Sequence, residues 1–364
     1  MMRTILLNPG PVTLTRRVRA ALGRGDWCHR EPEFAALVRR IDARLAAVHE
    51  ELAGDYEAVL LTGSGTAAVE GMLASFAPRE RSTLVLANGV YGERMARMLA
   101  AQGRPHQVLA HDWLEPVSIP RLEAALARDP AISHVAVVHH ETTTGRLNDL
   151  EMIGRSCRAW GVQLLLDGVS SFGAERIAGR DWNLAAVAAT ANKCLHGAPG
   201  LSFVLARREL WQRPAAAGGV YLDLHAYHAA QHTDGYSPFT QAVQVAFALD
   251  AALEEHAEQG GWRGRLARYR ERALRVATTL APLGARRLLP EGEASSVLHA
   301  YRLPRGLDYR GLHDALKRRG FIIYAGQGRL APDIFRIAHM GDITAADLER
   351  LCRALRAVLR GRGR

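Results

Sequence analysis

One lysine in this chain lies in a setting that favours chemistry. A strand of small apolar residues is predicted over 184–189, Lys193 follows it, and a Gly-Ala-Pro-Gly turn at 197–200 ends the segment. Lysine is costly to bury unless it is neutralised or paired. A lysine held there is suited to amine chemistry, such as a Schiff base with an aldehyde. From this segment alone, a surface-loop lysine that happens to follow a strand remains the alternative.

A carboxylate ends the predicted strand before that lysine. Asp167 follows three leucines at 164–166 and precedes Gly168. A buried carboxylate needs a partner, and the protonated ring nitrogen of a pyridine cofactor would supply one. The alternative is an N-cap for the short helix that follows.

A glycine- and hydroxyl-rich segment, Gly63-Ser64-Gly65-Thr66, lies between a predicted strand and a predicted helix. Glycines let the backbone approach an anion, and a helix N-terminus offers free N–H groups with a positive dipole end. Ordinary helix capping by Ser or Thr is the alternative. Together, the phosphate cradle, the strand-end aspartate and the strand-end lysine are the parts that pyridoxal phosphate requires. The sequence therefore predicts pyridoxal phosphate as cofactor.

The elements that must position these residues alternate along the first part of the chain. A helix is predicted over 31–52. After it, short apolar strands near 58–61, 83–86, 134–138, 162–166 and 184–189 alternate with helices. This order predicts an α/β fold, with a mostly parallel sheet covered by helices on both faces. Ligands of such sheets bind outside the carboxyl ends of the strands, where the candidate residues fall.

The pattern changes in the C-terminal part, where a strand, helix, strand, strand and helix are predicted over 297–359. We therefore expect an N-terminal segment and large cofactor-binding domain over 1–258, and a small α+β domain over 259–364. A chain of 364 residues is long enough for two such units.

Composition narrows the classes of function. The 48% hydrophobic content and the absence of a membrane-length apolar run are typical of a soluble protein. The net charge of +10 is dispersed along helices apart from the arginine-rich end at 360–364, so a nucleic-acid-binding protein is disfavoured. Four cysteines without paired or metal-ligand spacing predict a cytoplasmic location. His139 and His140 are expected to form hydrogen bonds, and no metal site is predicted.

The chain resembles the class V aminotransferases, a group of fold type I pyridoxal-phosphate enzymes, along nearly its whole length. The matching segments are Asn8-Pro9-Gly10-Pro11, Cys28-His29-Arg30-Glu31-Pro32-Glu33-Phe34, Gly63-Ser64-Gly65-Thr66-Ala67-Ala68-Val69-Glu70, Asn88-Gly89-Val90-Tyr91-Gly92-Glu93-Arg94, His139-His140-Glu141-Thr142-Thr143-Thr144-Gly145, Asp167 with Ser170-Ser171-Phe172-Gly173, Ala191-Asn192-Lys193-Cys194, and Phe335-Arg336-Ile337. The likeness is strongest to the branch that moves the amino group of 2-aminoethylphosphonate to pyruvate.

The resemblance implies how the cofactor is held. Lys193 would attach the cofactor and then move a proton, and Asp167 would pair with the ring nitrogen. Tyr91 would stack on the ring. The other cofactor contacts that the resemblance implies are Ser64, Gly65, Thr66 and Asn192 at the phosphate, and Thr142 near the ring hydroxyl. Thr240 would reach the phosphate bound by a neighbouring subunit, so a homodimer with shared active sites is expected.

The resemblance also implies where substrates bind. Arg336 would hold the anionic end of a small amino donor and then of a 2-oxo acid, with Pro9 and Gly10 at the same site. A planar guanidinium suits carboxylates and phosphonates alike. A buried structural ion pair is the alternative for Arg336. Gln327 stands where the branch often has lysine, and a related transaminase is the alternative function, acting on a modified aminophosphonate, or on alanine or serine with glyoxylate.

Overall fold

The computed structural model describes residues 3–212 and 219–360 of the chain. The strands are β1 (Ile5–Leu6), β2 (Tyr56–Thr62), β3 (Ser82–Ala87), β4 (His106–Ala110), β5 (Ile132–Val138), β6 (His140–Glu141), β7 (Arg146–Leu147), β8 (Gln163–Asp167), β9 (Leu184–Thr190), β10 (Leu201–Arg207), β11 (Leu298–Arg302), β12 (Phe321–Ile322), β13 (Tyr324–Ala325) and β14 (Ile334–Ala338). The helices are α1 (Arg16–Ala21), α2 (Pro32–Ala46), α3 (Gly65–Phe76), α4 (Val90–Ala101), α5 (Ile119–Arg128), α6 (Leu150–Ala159), α7 (Arg208–Trp211), α8 (Leu224–Thr233), α9 (Val243–Glu258), α10 (Gly261–Leu280), α11 (Tyr309–Lys317) and α12 (Ala345–Arg360).

A seven-stranded sheet forms the centre of the larger part, in the order β2-β10-β9-β8-β5-β3-β4. All its strands run in the same direction except β10, which is antiparallel to both β2 and β9. Every residue of β9 is buried, and small side chains there let α3 pack closely against the sheet. The predicted α/β fold with a mostly parallel sheet is therefore confirmed.

Two apolar clusters cover the two faces of this sheet. One cluster packs α2, α5, α6 and α9 on one face, and the other packs α3, α4 and α8 on the opposite face. Strands that are buried on both faces read as continuous apolar runs, which is why the sequence identified them. No helix within 3–212 and 219–360 is long and apolar enough to cross a membrane.

The C-terminal part has its own small antiparallel sheet, β11-β14-β13, packed against α10, α11 and α12. The first strand of the chain joins this part, because β1 pairs in parallel with β12 through Ile5–Phe321 and Leu6–Ile322. The predicted boundary at 258/259 falls where α9 ends and α10 begins, and it stays a prediction.

The sequence did not predict several of these elements, and it extended one helix too far. Edge strand β4 alternates exposed and half-buried residues, so it lacks an apolar run, and α5 and β10 were not predicted either. Helix α2 ends at Ala46 and not near residue 52, because the chain turns through Gly54, at φ +84°, into β2. Residues 361–364 of the arginine-rich end lie outside the described residues.

Candidate active site

The predicted site residues meet at the carboxyl ends of neighbouring strands. Asp167 ends β8 and lies in register with Val138 of β5 on one side and Ala188 of β9 on the other. Lys193 follows β9, and the N-terminus of α3 follows β2. The strand order thus brings the amine, the carboxylate and the glycine-rich segment to one edge of the sheet.

The side chain of Lys193 lies against the N-terminal segment of the chain. Its Nζ donates a hydrogen bond to the carbonyl of Pro9, and a Cβ placed on Gly10 would lie 2.6 Å from Lys193 Cδ. Burial is the main cause that lowers the pKa of Lys193 to about 8. A larger share of the amine is therefore uncharged near neutral pH than for an exposed lysine, as a nucleophile requires.

Asp167 is buried at the end of β8 with one carboxylate oxygen already bonded. Its Oδ1 accepts a hydrogen bond of 3.0 Å from the backbone N–H of Val169. Burial raises the pKa of Asp167 to about 6, and this bond together with the charges of Lys193 and Arg94 opposes that rise. The carboxylate is thus ionised at neutral pH and is able to partner a protonated ring nitrogen.

The N-terminus of α3 is open toward the same edge. Ser64 is the N-cap residue but its side chain makes no capping hydrogen bond, and both Ser64 and Thr66 are exposed. Gly65 permits this close approach, since a Cβ there would lie 2.8 Å from Cγ1 of Val169. Free backbone N–H groups beside two hydroxyls form a cradle for a phosphate group.

A small cavity joins this cradle to Asp167, and Tyr91 and Arg94 of α4 line it. The guanidinium of Arg94 lies 4.8 Å from the centre of the Tyr91 ring, and its Nη1 donates to Thr66 Oγ1 at 3.4 Å. The aromatic ring predicted to stack on the cofactor therefore lines the same cavity as the carboxylate and the phosphate cradle.

Glu141 fixes the helix turn that carries Tyr91, a role that the sequence analysis missed. Its Oε2 accepts from the backbone N–H groups of Tyr91 and Gly92, each at 3.2 Å, and its Oε1 accepts from the Thr143 hydroxyl at 2.5 Å. Burial raises the pKa of Glu141 to about 7, which the hydrogen bonds oppose. The available signal was a carboxylate that follows a buried strand and precedes three threonines.

His140 presents a buried nitrogen to the site. Its Nδ1 donates to the carbonyl of Ser170 at 2.9 Å, which makes Nε2 the acceptor, and Nε2 is buried without a hydrogen-bond partner among the described residues. Burial lowers the pKa of His140 to about 4, with a further contribution from the charge of Lys193. The ring is therefore neutral, with a lone pair that a ligand hydroxyl could satisfy.

Arg336 is a fully buried arginine with one unused nitrogen. It lies in the middle of β14, where Nε donates to the carbonyl of Ala325 at 2.8 Å and Nη1 to the carbonyl of Thr142 at 2.7 Å. Nη1 also donates to Gln327 Oε1 at 3.0 Å, whereas Nη2 is buried without a partner among the described residues. Its charge lowers the pKa of Lys193, which places it near the amine.

Three predicted residues have contacts that differ from their expected roles. Thr142 is held through its carbonyl by Arg336. Asn192 accepts from the Thr190 hydroxyl at 2.8 Å. Thr240 is exposed ahead of α9 and makes no hydrogen bond within the described residues. The predicted contacts of these three residues with the cofactor stay predictions.

These residues fit pyridoxal phosphate. The open N-terminus of α3 suits its phosphate, the ionised Asp167 suits a protonated pyridine nitrogen, and the amine of Lys193 suits its aldehyde. The buried Nε2 of His140 offers an acceptor at the same edge.

Comparison with known proteins agrees with this geometry. The family model described as "Aminotransferase class-V" matches residues 29–341. The chain belongs to the class V aminotransferases. Like other members of that family it uses pyridoxal phosphate, and it transfers an amino group between an amino donor and a 2-oxo acid.

Individual class V aminotransferases and related structures resemble the chain along nearly its whole length. A 2-aminoethylphosphonate–pyruvate transaminase of Syntrophobacter fumaroxidans is 38% identical, over 96% of this chain and 95% of its own. One from Pseudomonas aeruginosa is 36% identical, over 98% and 96%. Among solved structures, an alanine–glyoxylate aminotransferase from Nostoc sp. has a TM-score of 0.90 at 26% identity, covering 99% of this chain and 96% of that one. An aspartate aminotransferase from Thermus thermophilus has a TM-score of 0.88 at 27% identity, covering 98% and 99%.

Proposed function

We propose that this enzyme transfers the amino group of 2-aminoethylphosphonate to pyruvate, giving phosphonoacetaldehyde and L-alanine. The observation that carries the proposal is the buried guanidinium of Arg336, whose Nη2 has no partner among the described residues. A buried arginine nitrogen without a hydrogen-bond partner is stabilised by an anion, and both a phosphonate and a carboxylate are suitable anions. Relatives bearing this activity in their names share up to 38% of their residues with the chain.

The chain's own residues have distinct tasks in this reaction. Arg336 holds the anionic end of each substrate, and its other nitrogens are fixed by backbone carbonyls, so little reorganisation is needed on binding. Bound pyridoxal phosphate supplies the aldehyde that takes up the amino group and the electron-withdrawing ring that stabilises the developing carbanion. Asp167 keeps the ring nitrogen protonated, and Lys193 moves the proton as a general base and then as a general acid.

The same guanidinium serves both halves of the reaction. The amino donor leaves as its oxo product before the 2-oxo acid binds, so one anion site is sufficient for two substrates in turn. This order is a ping-pong mechanism, and the single unpaired Nη2 supports it.

The proposal includes a homodimer with shared active sites. Thr240 is exposed, and its proposed place is at the phosphate bound by the partner subunit. A cytoplasmic location, predicted from the four unpaired cysteines, is also part of the proposal.

A panel of amines tests the substrate. We expect 2-aminoethylphosphonate to convert the bound cofactor to its amine form, seen as loss of its visible absorbance, and pyruvate to restore that absorbance. Lys193→Ala is the control, because it removes the amine that moves the proton in this conversion. Conversion by alanine or serine together with failure of 2-aminoethylphosphonate would contradict the proposal.

The second candidate is a related transaminase for alanine or serine with glyoxylate. The observation that favours it is Gln327, a neutral side chain that accepts a hydrogen bond from Arg336 at 3.0 Å. Because Gln327 is neutral, it adds no second positive charge beside Arg336, and this arrangement suits a carboxylate monoanion as well as a phosphonate. Running the second half of the same experiment with glyoxylate beside pyruvate separates the two candidates, since this one requires glyoxylate to be the better amino acceptor.

A further inference from the structure

Away from the active site, three metal-binding side chains meet between β2 and α8. Glu57 of β2 and His228 and His232 of α8 each offer a ligand atom, and these atoms all lie within 4.8 Å of one another. The two histidines are four residues apart, so they share one face of the helix. Residues 3–212 and 219–360 contain no other group of three that meets this description.

The spacing of the ligand atoms is close to that of a tetrahedral zinc site. His228 Nε2 lies 2.7 Å from Glu57 Oε2, and the two imidazole rings stack with their centres 4.2 Å apart. Zinc binds nitrogen and carboxylate oxygen at about 2.0–2.2 Å, which puts two ligands of a tetrahedron about 3.4 Å apart. Lengthening the histidine–glutamate contact by less than 1 Å therefore makes room for the ion.

The surroundings carry the charge that a cation needs. Asp42 Oδ2 lies 3.6 Å from His232 Nε2, so a second carboxylate faces the cluster. Arg208 pairs with the other oxygen of Glu57, at 2.9 Å, and leaves Oε2 toward the histidines. With neutral imidazoles, two carboxylates outnumber one guanidinium, and a divalent cation offsets the remaining negative charge.

The cluster is both supported and accessible. Trp211 stacks on His228 with ring centres 4.5 Å apart and an interplanar angle of 7°, which fixes the orientation of that ring. His232 is exposed, so an ion can enter from solvent. His232 Nε2 lies 3.0 Å from the carbonyl of Ala58, and zinc must displace this hydrogen bond.

We propose that Glu57, His228 and His232 bind one Zn²⁺ ion, with water in the fourth position and Asp42 beside it. The ion links α8 to β2, and β2 is the strand that precedes the phosphate cradle at Ser64. No local sequence pattern indicates this site, because Glu57 lies 171 residues before His228. Its role is structural, and zinc therefore stabilises the fold without taking part in amino transfer.

Zinc titration of the holoenzyme tests the site. Tag-free protein, freed of metals with a chelator, is titrated with ZnCl₂ by calorimetry, and its thermal unfolding is followed with and without the metal. We expect one Zn²⁺ per chain and a higher unfolding temperature. Removing a ligand in His232→Ala or Glu57→Gln should weaken binding about tenfold or more and abolish the thermal shift.

His225→Ala is the matched control. His225 lies on the same helix, and its Nε2 lies 3.4 Å from the carbonyl of Leu210, outside the cluster. This variant should bind zinc like the unaltered protein. The unfolding temperature of each metal-free variant is measured as well, so that a loss of the fold is distinguished from a loss of zinc binding. Absence of stoichiometric binding, or equal affinity in the unaltered protein and His232→Ala, would overturn the proposal.

Discussion

At the scale of single residues, the environment of Lys193 determines the pH range in which its amine reacts. Burial brings its pKa down from 10.5 to about 8. Because only the uncharged amine attacks an aldehyde, the rate of cofactor attachment should rise with pH and level off above about 8.

The measurement is the rate of pyridoxal phosphate uptake by the apoenzyme, from about pH 6 to about pH 10. A simple alkylamine reacted with the same cofactor at each pH corrects for titration of the cofactor itself. A corrected rate that continues to rise up to pH 10 would show that the lysine has an ordinary pKa.

Glu141 gives a second prediction at this scale. It accepts from the backbone N–H groups of Tyr91 and Gly92 and is fully buried. Glu141→Ala leaves these donors unsatisfied, so it should lower the free energy of unfolding by about 1–3 kcal/mol and weaken cofactor binding.

Glu141→Gln is the matched variant, because its amide oxygen can still accept from the helix. We expect it to retain most of the stability, measured by urea unfolding. Because glutamine keeps the volume of glutamate, equal losses in the two variants would mean that the charge of the carboxylate, and not an acceptor oxygen as such, accounts for the effect.

The residues that the sequence identified differ in kind from those it missed. Lys193, Asp167 and the Ser64–Thr66 segment each lie at the end of a strand or just after it, so a local pattern was enough to predict them. Glu141 acts on Tyr91, 50 residues earlier in the chain. Such a role depends on which elements the sheet order brings together, and no local pattern contains that information.

At the scale of elements, the contact between α3 and the loop after β8 controls the phosphate cradle. A Cβ on Gly65 would lie 2.8 and 2.9 Å from the two methyl groups of Val169 and 3.3 Å from Thr190 Cβ. Gly65→Ala must therefore shift the start of α3 away from the strand ends. We expect a loss of stability of about 1–3 kcal/mol and a marked loss of pyridoxal phosphate affinity.

Affinity is measured from cofactor absorbance on titration of the apoenzyme. Gly23→Ala is the control, since a Cβ there would meet its nearest neighbour, the carbonyl oxygen of Ala20, at an ordinary 3.7 Å. Unchanged cofactor affinity in Gly65→Ala would show that the close approach of this helix is not needed for binding.

Two of the strands that the sequence did not predict were missed for different physical reasons. Strand β4 lies at an edge of the sheet and exposes much of its surface, so its sequence lacks the apolar run that marks a central strand. Strand β10 is apolar but antiparallel, and it inserts between β2 and β9. A strict alternation of strands and helices predicts neither feature.

At the scale of the whole molecule, shared active sites make a prediction about mixed dimers. Lys193→Ala lacks the reactive amine, and Thr240→Glu places a negative charge where the partner's phosphate is proposed to bind. Each variant alone should be inactive. A dimer with one chain of each kind contains one complete site, so unfolding and refolding the two variants together should restore part of the activity.

Refolding each variant by itself is the control for this experiment. Restored activity requires that Lys193 and Thr240 of one site come from different chains. If the mixture stays inactive while the unaltered protein recovers under the same conditions, Thr240 does not act across subunits.

The pairing of β1 with β12 has a consequence for the order in which the protein matures. Ile5 is synthesised 316 residues before its partner Phe321. Residues 9 and 10, which lie against Lys193, follow directly after β1. During translation, β1 therefore has no partner strand until β12 has emerged from the ribosome. Until then, β1 cannot hold residues 9 and 10 in place against Lys193.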